Sequence, residues 1–182
     1  HHTHARQQQA MSAYYDFDQL ATDAVAAFAC YHASLALEWA MHTFSHTRTT
    51  LPVLNRIHKT HMEHHRVYSV NKLLQPGPYK DAGGAEVFVP IAVIIWTLGY
   101  LLLGRYGIMF AVISAVTLAV STYLHDQFHV DGSWLEKHEW FILRRYRHFW
   151  HHGHLLANEN MALGGIDTSF DKLMGAFVEV EV

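Results

Sequence analysis

The sequence predicts an all-α fold: an integral-membrane helical bundle with a cytoplasmic, histidine-rich helical cap. Three observations carry that expectation. Two neighbouring charge-free runs, Val87–Leu103 and Gly107–Leu124, hold 17 and 18 residues. A third apolar run, Ala24–Met41, precedes them. Finally, the chain has 17 histidines against 13 Lys and Arg, and they gather at or beyond the ends of these runs.

With 182 residues, 51% of them hydrophobic and 16% charged, the chain reads as one domain over residues 11–182. Residues 1–10 (HHTHARQQQA) form a polar leader or tag remnant, expected to be disordered, and Met11 would serve as a start. The leader has no apolar region behind a basic one, so it is not a signal peptide. A net charge of −3 gives no reason to expect nucleic-acid binding. The single Cys30 excludes a disulfide framework, a cysteine zinc finger and a self-contained Fe–S centre.

The first run carries His32 and Glu38, so it is either a polar-marked span or a buried helix. The second and third, separated only by Gly104, Arg105 and Tyr106, would each be roughly 26 Å long as helices, close to the ~30 Å hydrocarbon thickness, and read as a transmembrane hairpin. Ahead of the hairpin, Gln75–Ala85 holds two Pro and three Gly and reads as a loop. Basic residues flank the spans on one side: Arg48, Arg56, Lys59, Arg66, Lys72 and Lys80 before the hairpin, and Lys137, Arg144, Arg145, Arg147 and Lys172 after it. Only Arg105 sits at its tip. By the positive-inside rule the basic segments, and the histidines with them, are cytoplasmic.

The histidines fall into four clusters. His42 and His46 are spaced HxxxH; His61, His64 and His65 are spaced HxxHH; His125 and His129 repeat the first spacing, and His148, His151 and His152 repeat the second. Residues i, i+3 and i+4 share a helix face, so each cluster presents its imidazoles to one side. A span followed by a pair and then a triplet thus occurs twice, as a loose duplication. Ten imidazoles exceed what one ion can use, which argues for two metals. The chain lacks His-Glu-x-x-His, Glu-x-x-His and Gly-x-Ser-x-Gly, which removes zincin proteases, ferritin-like carboxylate sites and α/β-hydrolases.

The histidine series, the hairpin between its halves and the ending Gly165-Ile166-Asp167-Thr168-Ser169-Phe170-Asp171-Lys172-Leu173-Met174-Gly175 resemble the fatty acid hydroxylase/sterol desaturase superfamily of membrane oxygenases. The resemblance runs from about Glu38 to Phe177. It implies an O2-dependent enzyme with two non-haem Fe ions, held by His42, His46, His61, His64, His65, His125, His129, His148, His151 and His152. Zn is expected to occupy the same imidazoles in a purified sample. His58 and His154 lie beside the motifs, where either could replace a ligand or support one. The family carries four membrane helices where this chain shows three. Carotenoid hydroxylases of the same superfamily are of similar length, and the Asp-rich ending favours the lipid and sterol branch.

The activity implied is hydroxylation of a lipid C–H bond, with a fatty acyl chain as first choice. Desaturation, or hydroxylation of a sterol or carotenoid, is the alternative within the superfamily. A non-redox metal-binding membrane protein is the alternative outside it. Substrate would enter from the bilayer, with Trp39, Phe44, Trp96, Phe110 and Tyr123 as candidate channel walls. Ligating imidazoles commonly donate their second N–H to a carboxylate or carbonyl, for which Glu38, Glu63, Asp126 and Asp167 are the nearest acids in sequence. Asn158 and Asn160 could orient a water or shape a turn. No flavin, nicotinamide or Fe–S motif is present, so electrons are expected from a separate ferredoxin, rubredoxin or cytochrome b5-like donor. The Arg144–Arg147 cluster is a candidate surface for it, or for lipid headgroups.

Overall fold

The computed structural model describes residues 2–80, 87–159 and 162–180, with side chains from residue 17 onward. Six helices carry the chain: α1 (His2–Ser45), α2 (Pro52–Val67), α3 (Val89–Leu103), α4 (Arg105–Phe128), α5 (Glu139–Gly153) and α6 (Ser169–Met174). Two short strands, β1 (Gln75–Pro76) and β2 (Val130–Asp131), pair in parallel, with Gln75 opposite Val130 and Pro76 opposite Asp131. The three expected spans fall within α1, within 87–103 around α3, and within α4. The α1 backbone runs from His2.

Two helices are long and apolar enough to cross a membrane, Phe17–Ser45 of α1 and α4; α3 is a shorter apolar helix of 15 residues. Their packing inverts the pattern of a water-soluble core. The residues α4 buries are Gly107, Ser114, Thr117, Ser121, Leu124 and Phe128, small and polar for most of its length and spaced by three or four after the first. Its apolar side chains, and those of α3, point outward, with Leu101 69% and Leu102 79% exposed. Small residues let helices approach closely, which is how helices associate where the surrounding medium is as apolar as their side chains.

Gly104, at φ +56°, turns α3 into α4. At the first contact of that hairpin, a Cβ on Gly107 would sit 2.2 Å from the Gly99 carbonyl oxygen. Above the hairpin turn, α1 is tied to α4 by an Arg105–Asp23 ion pair of 2.8 Å. Near its other end, α4 meets the turn Ala162–Gly165, where the Leu163 amide donates to Ser121 Oγ at 2.8 Å.

At the C-terminal end of α4, Leu124 and Phe128 form a small apolar core with Leu135 and Phe141. The Trp134–Lys137 turn starts with a reciprocal cap between Ser133 and Glu136. Arg145 of α5 clamps that turn and the end of α4. Its guanidinium donates to Glu136 Oε1 at 2.7 Å and to the carbonyls of Gln127 and Val130 at 3.1 and 2.9 Å.

Gly107→Ala is expected to destabilise the protein by about 1–3 kcal/mol, because the α3–α4 crossing must open to admit the methyl group. Gly77→Ala, at a position with no neighbour within 4 Å but φ +87°, tests backbone strain alone. Thermal unfolding in detergent checks both, and equal stability of the Gly107 variant and the parent would contradict the tight crossing.

Candidate metal centre

Each histidine cluster is delivered by one element end. The last turn of α1 presents His42, and His46 follows it; α2 carries His61, His64 and His65 on one face. His125 lies in the last turn of α4 with His129 as its cap, and α5 carries His148, His151 and His152. The structure brings all ten together. His42, His46, His61 and His151 form one group and His64, His125, His129 and His148 a second, the ligand atoms within each lying within 4.8 Å of one another. His65 joins the first group, its Nε2 3.1 Å from that of His61. His152 joins the second, its Nε2 3.2 Å from His64 and 3.0 Å from His148. The His65 and His152 rings, 4.3 Å apart, are the common wall.

The grouping does not follow the halves of the sequence. Each pair joins the outer two histidines of its own triplet, while the middle histidine crosses over. His64 serves the group built by α4 and α5, and His151 serves the group built by α1 and α2.

The spacing of the donor atoms bears on whether ions fit. Neighbouring Nε2 atoms lie 2.8 to 3.2 Å apart, as in His129–His148, His42–His61 and His64–His125. Two nitrogens bound at ~2.1 Å with an angle near 90° at the ion would be about 3.0 Å apart, whereas tetrahedral angles would spread them further. Three rings have their tautomer set from behind by backbone: His42 Nδ1 donates to the Glu159 carbonyl, His129 Nδ1 to that of Leu73 at 2.9 Å, and His151 Nδ1 to that of Ala157 at 3.0 Å. Their Nε2 atoms therefore carry lone pairs turned inward. That of His151 is buried with no hydrogen-bond partner among the described residues. Where neither of two such nitrogens carries a proton, their lone pairs repel unless a cation lies between them, and the all-imidazole donor set fits two transition-metal ions.

Protonation cannot supply the missing charge. Burial, and then the neighbouring imidazoles, hold His61, His64, His148 and His151 well below the ordinary histidine range. Desolvation first and the other rings second bring His65 and His152 down to about 2. His129 is brought to about 2 in the same way, and His46 to about 4 by burial and then by His58. At neutral pH these rings are neutral and available as ligands.

The supporting residues differ from the acids expected to back the ligands. Asp126 is the one that reaches a site ring, with Oδ1 3.5 Å from His125 Nδ1. Glu63 instead pairs with Arg66 at the surface. Asp167 accepts from Tyr31 Oη at 2.9 Å and from the Ser169 amide at 2.9 Å, so it anchors the C-terminal segment to α1. Glu38 bonds Ser121 across the α1–α4 contact. Asn158 is a turn residue at φ +52° whose amide and Oδ1 bond Ala176 and Val178, and Asn160 lies outside the described residues. The backing carbonyls of Leu73, Ala157 and Glu159 have no side-chain signature. Tyr79, whose hydroxyl lies 3.3 Å from His64 Nδ1, sits in the loop of the first half and had only a ring as its signal.

His58 and His154 do not join the ten. His58 Nδ1 donates to the Ser45 carbonyl at 2.9 Å, bracing the α1–α2 connection, and His154 is exposed and stacks on Trp150 at 4.3 Å. The arginine cluster also turns inward, because α5 shows the same face to the cap as to the ligands. Arg145 is 5% exposed, and Arg147 pairs with Glu179 beneath Phe177.

A cavity of about 160 Å³ opens above the two groups, between α1, α3 and α4. Its floor takes His42 and His61 from the first group and His125 from the second. Its walls are aliphatic, including Leu37, Met41, Ile91, Ile95 and Leu118. The aromatic channel residues expected from the sequence do not line it. Trp96 Nε1 donates to Ser114 Oγ at 3.2 Å between α3 and α4, Phe110 packs beside Gly99, and Tyr123 accepts from Trp134. Phe44 is exposed, and Trp39, half-buried, is likewise outside the lining. A residue's distance along a helix is legible in sequence, but its rotation toward a neighbour depends on where the small residues allow contact.

His151→Ala is expected to lower bound metal from two ions per chain to about one, read by elemental analysis after loading, while His154→Ala leaves it at two. Retention of both ions by the first variant would contradict the crossed grouping. For the metal-free protein, folded pKa values below the unfolded value mean that the unfolded chain binds more protons as pH falls below about 6.5. Stability present above that pH is therefore lost on acidification through pH 4, by up to about 1.4 kcal/mol per pH unit per suppressed histidine. Unfolding midpoints at pH 7.5, 6 and 5 check the sign.

Compared with protein-family models, curated proteins and solved structures, the chain gives no match in any of the three.

Proposed function

We propose that the protein is a membrane non-haem di-iron oxygenase that uses O2 and external electrons to hydroxylate a C–H bond of a lipid, a fatty acyl chain being the first choice. One observation carries the reading: two five-imidazole groups share a wall beneath one apolar cavity, and both contribute to its floor. A site that only stores or moves ions has no use for an aliphatic chamber over its donors. Near-right-angle donor spacing favours five- or six-coordinate iron over the tetrahedral arrangement usual for structural zinc.

The ten imidazoles would hold the two irons, five to each, leaving coordination space toward the cavity. When bound, the irons supply the activation of O2 that an unactivated C–H bond requires. The chain's own part is to orient and hold. Backbone carbonyls fix the tautomers of His42, His129 and His151, and aliphatic side chains keep water from the cavity and pack the hydrocarbon of the substrate. Desaturation, or hydroxylation of a sterol or carotenoid, uses the same centre with the target carbon placed differently.

The outward apolar faces of α1, α3 and α4 support insertion of these helices in a bilayer. The basic segments that flank them support a cytoplasmic side for the histidine clusters. Lipid would then enter sideways between the helices. Electrons are assigned to a separate ferredoxin, rubredoxin or cytochrome b5-like protein. The inward-turned arginines of α5 are structural, so docking falls to another part of the cap.

Mössbauer spectroscopy of protein expressed in ⁵⁷Fe medium is expected to show two coupled irons per chain. Lipid extracts of expressing cells should contain hydroxylated products that are lost in a His61→Ala strain. A centre that accepts only zinc after anaerobic iron loading would overturn the reading in favour of a non-redox metal-binding protein.

A further inference from the structure

With the arginines of α5 turned inward, the positive charge left on the surface gathers elsewhere. From Thr47 to Leu74 the sequence carries Arg48, Arg56, Lys59, Arg66 and Lys72 against Glu63 alone, in a chain whose net charge is −3. On α2, Arg56, Lys59, Glu63 and Arg66 recur at intervals of three and four, which lines them along one face. At about 100° per residue, that stripe is centred half a turn from His61, His64 and His65. Exposure follows the same division: Arg56, Lys59 and Arg66 are exposed, whereas His64 and His65 are buried. Arg66 has Glu63 as its partner, but Arg56, Lys59 and Lys72 make no ion pair among the described residues.

Orientation follows from His61. It lies in the floor of the cavity between α1, α3 and α4, so the ligand face of α2 looks toward the long helices and the cationic back looks away from them. A bilayer around those helices lies across the metal groups from the stripe, which disfavours anionic headgroups as its partner. Just past α2 the chain meets α5, where a Cβ on Gly153 would lie 3.9 Å from Val70 Cγ1. The surface there is apolar, with Val70 61% and Trp150, one turn before Gly153, 42% exposed. An apolar centre edged by cations is the composition of a protein–protein contact.

We propose that the outer face of α2, with Val70 and Trp150 beside it, is the docking surface for an acidic one-electron carrier protein. The need for a carrier rests on the oxygenase reading; the place and charge of the surface do not. Hydroxylation consumes O2, two electrons and two protons, and returns the hydroxylated lipid and one water. A carrier of single electrons must therefore dock and leave twice per turnover, which calls for a small contact formed by charge and not for a tight apolar one. A carrier seated on the stripe has only the thickness of α2, ~10–12 Å with side chains, between itself and the ligand side of that helix.

The test uses the full chain in phosphatidylcholine nanodiscs and, as the acidic probe, a plant-type [2Fe–2S] ferredoxin. Carbodiimide joins its carboxylates to lysines in contact with them, and the linked peptides are mapped by mass spectrometry. Zinc-loaded protein serves as well as iron-loaded, so the outcome is separate from that of the iron experiment. Crosslinks are expected at Lys59 and Lys72, not at Lys137 or Lys172, and are expected to vanish in ~0.5 M salt, where surface charges are screened. Arg56→Glu with Lys59→Glu is expected to weaken ferredoxin binding about tenfold, while Lys137→Glu with Lys172→Glu, the same change in net charge, leaves it near the parent value. No crosslink, crosslinks at Lys137 or Lys172 instead, or equal affinities of the two double variants would overturn the proposal. So would protection of Lys59 from a water-soluble acylating reagent when phosphatidylserine is added to the nanodisc, which would put the stripe on the bilayer. In iron-loaded protein, the α2 double variant is expected to be reduced about tenfold more slowly by ferredoxin and at the parent rate by dithionite. Iron that dithionite fails to reduce would count against the oxygenase reading, while the crosslinks still decide the docking face.

Discussion

Ten imidazoles packed with their ring nitrogens about 3 Å apart are an arrangement that the chain alone disfavours. Burial removes the option of charging most of them, and in three of the ten a hydrogen bond from Nδ1 to a backbone carbonyl turns the Nε2 lone pair inward. The surrounding architecture can be understood as what holds those rings in place: four helix ends brought together, a loop strand bonded beside the end of α4, and an inward arginine tying α5 to the end of α4 and to the Trp134–Lys137 turn. The free energy of any ion bound there would therefore be part of the free energy of folding. The cap's apolar core, four residues with one flanking isoleucine, is modest for the number of polar groups buried beside it.

The same constraint orders the packing of the long helices. Ligands at the ends of α1 and α4 must be adjacent, so these helices must run side by side at close range. α4 meets that requirement with glycine, serine and threonine on its buried face. Larger apolar residues are displaced outward, which would expose hydrocarbon to water in a soluble protein and matches it to lipid in a membrane. Glu38 and Ser121 close this polar seam with a hydrogen bond beside the cavity, so the feature that allows the helices to pack also borders the chamber between them.

Much of this was legible in the sequence, and the exceptions share a cause. HxxxH and HxxHH spacings identify which histidines meet, because i, i+3 and i+4 share a face whatever the tertiary structure. The division of ten into five and five, with His64 and His151 exchanged, was not legible, since it depends on how α2 and α5 cross. The hairpin around Gly104 follows from two charge-free runs with a glycine between them. Backing groups were misplaced because carboxylates advertise themselves in a sequence and backbone carbonyls do not; of the four acids considered, Asp126 alone touches a site ring. Likewise, the arginines of α5 read as a surface patch by composition, although their spacing of three and four from His148 already placed Arg144 and Arg145 on the ligand face.

The exchange of His64 and His151 has a consequence for how such a centre can be assembled. Taken alone, a unit of one span, one pair and one triplet gathers four donors around an ion and points its fifth away, toward a place where only a second unit can use it. Two units completing each other by this exchange are interlocked: neither coordination sphere closes before the other half of the chain has arrived. An ion at one position would thus draw its ligands from both halves of the chain, and would hold in place elements that the other position also needs.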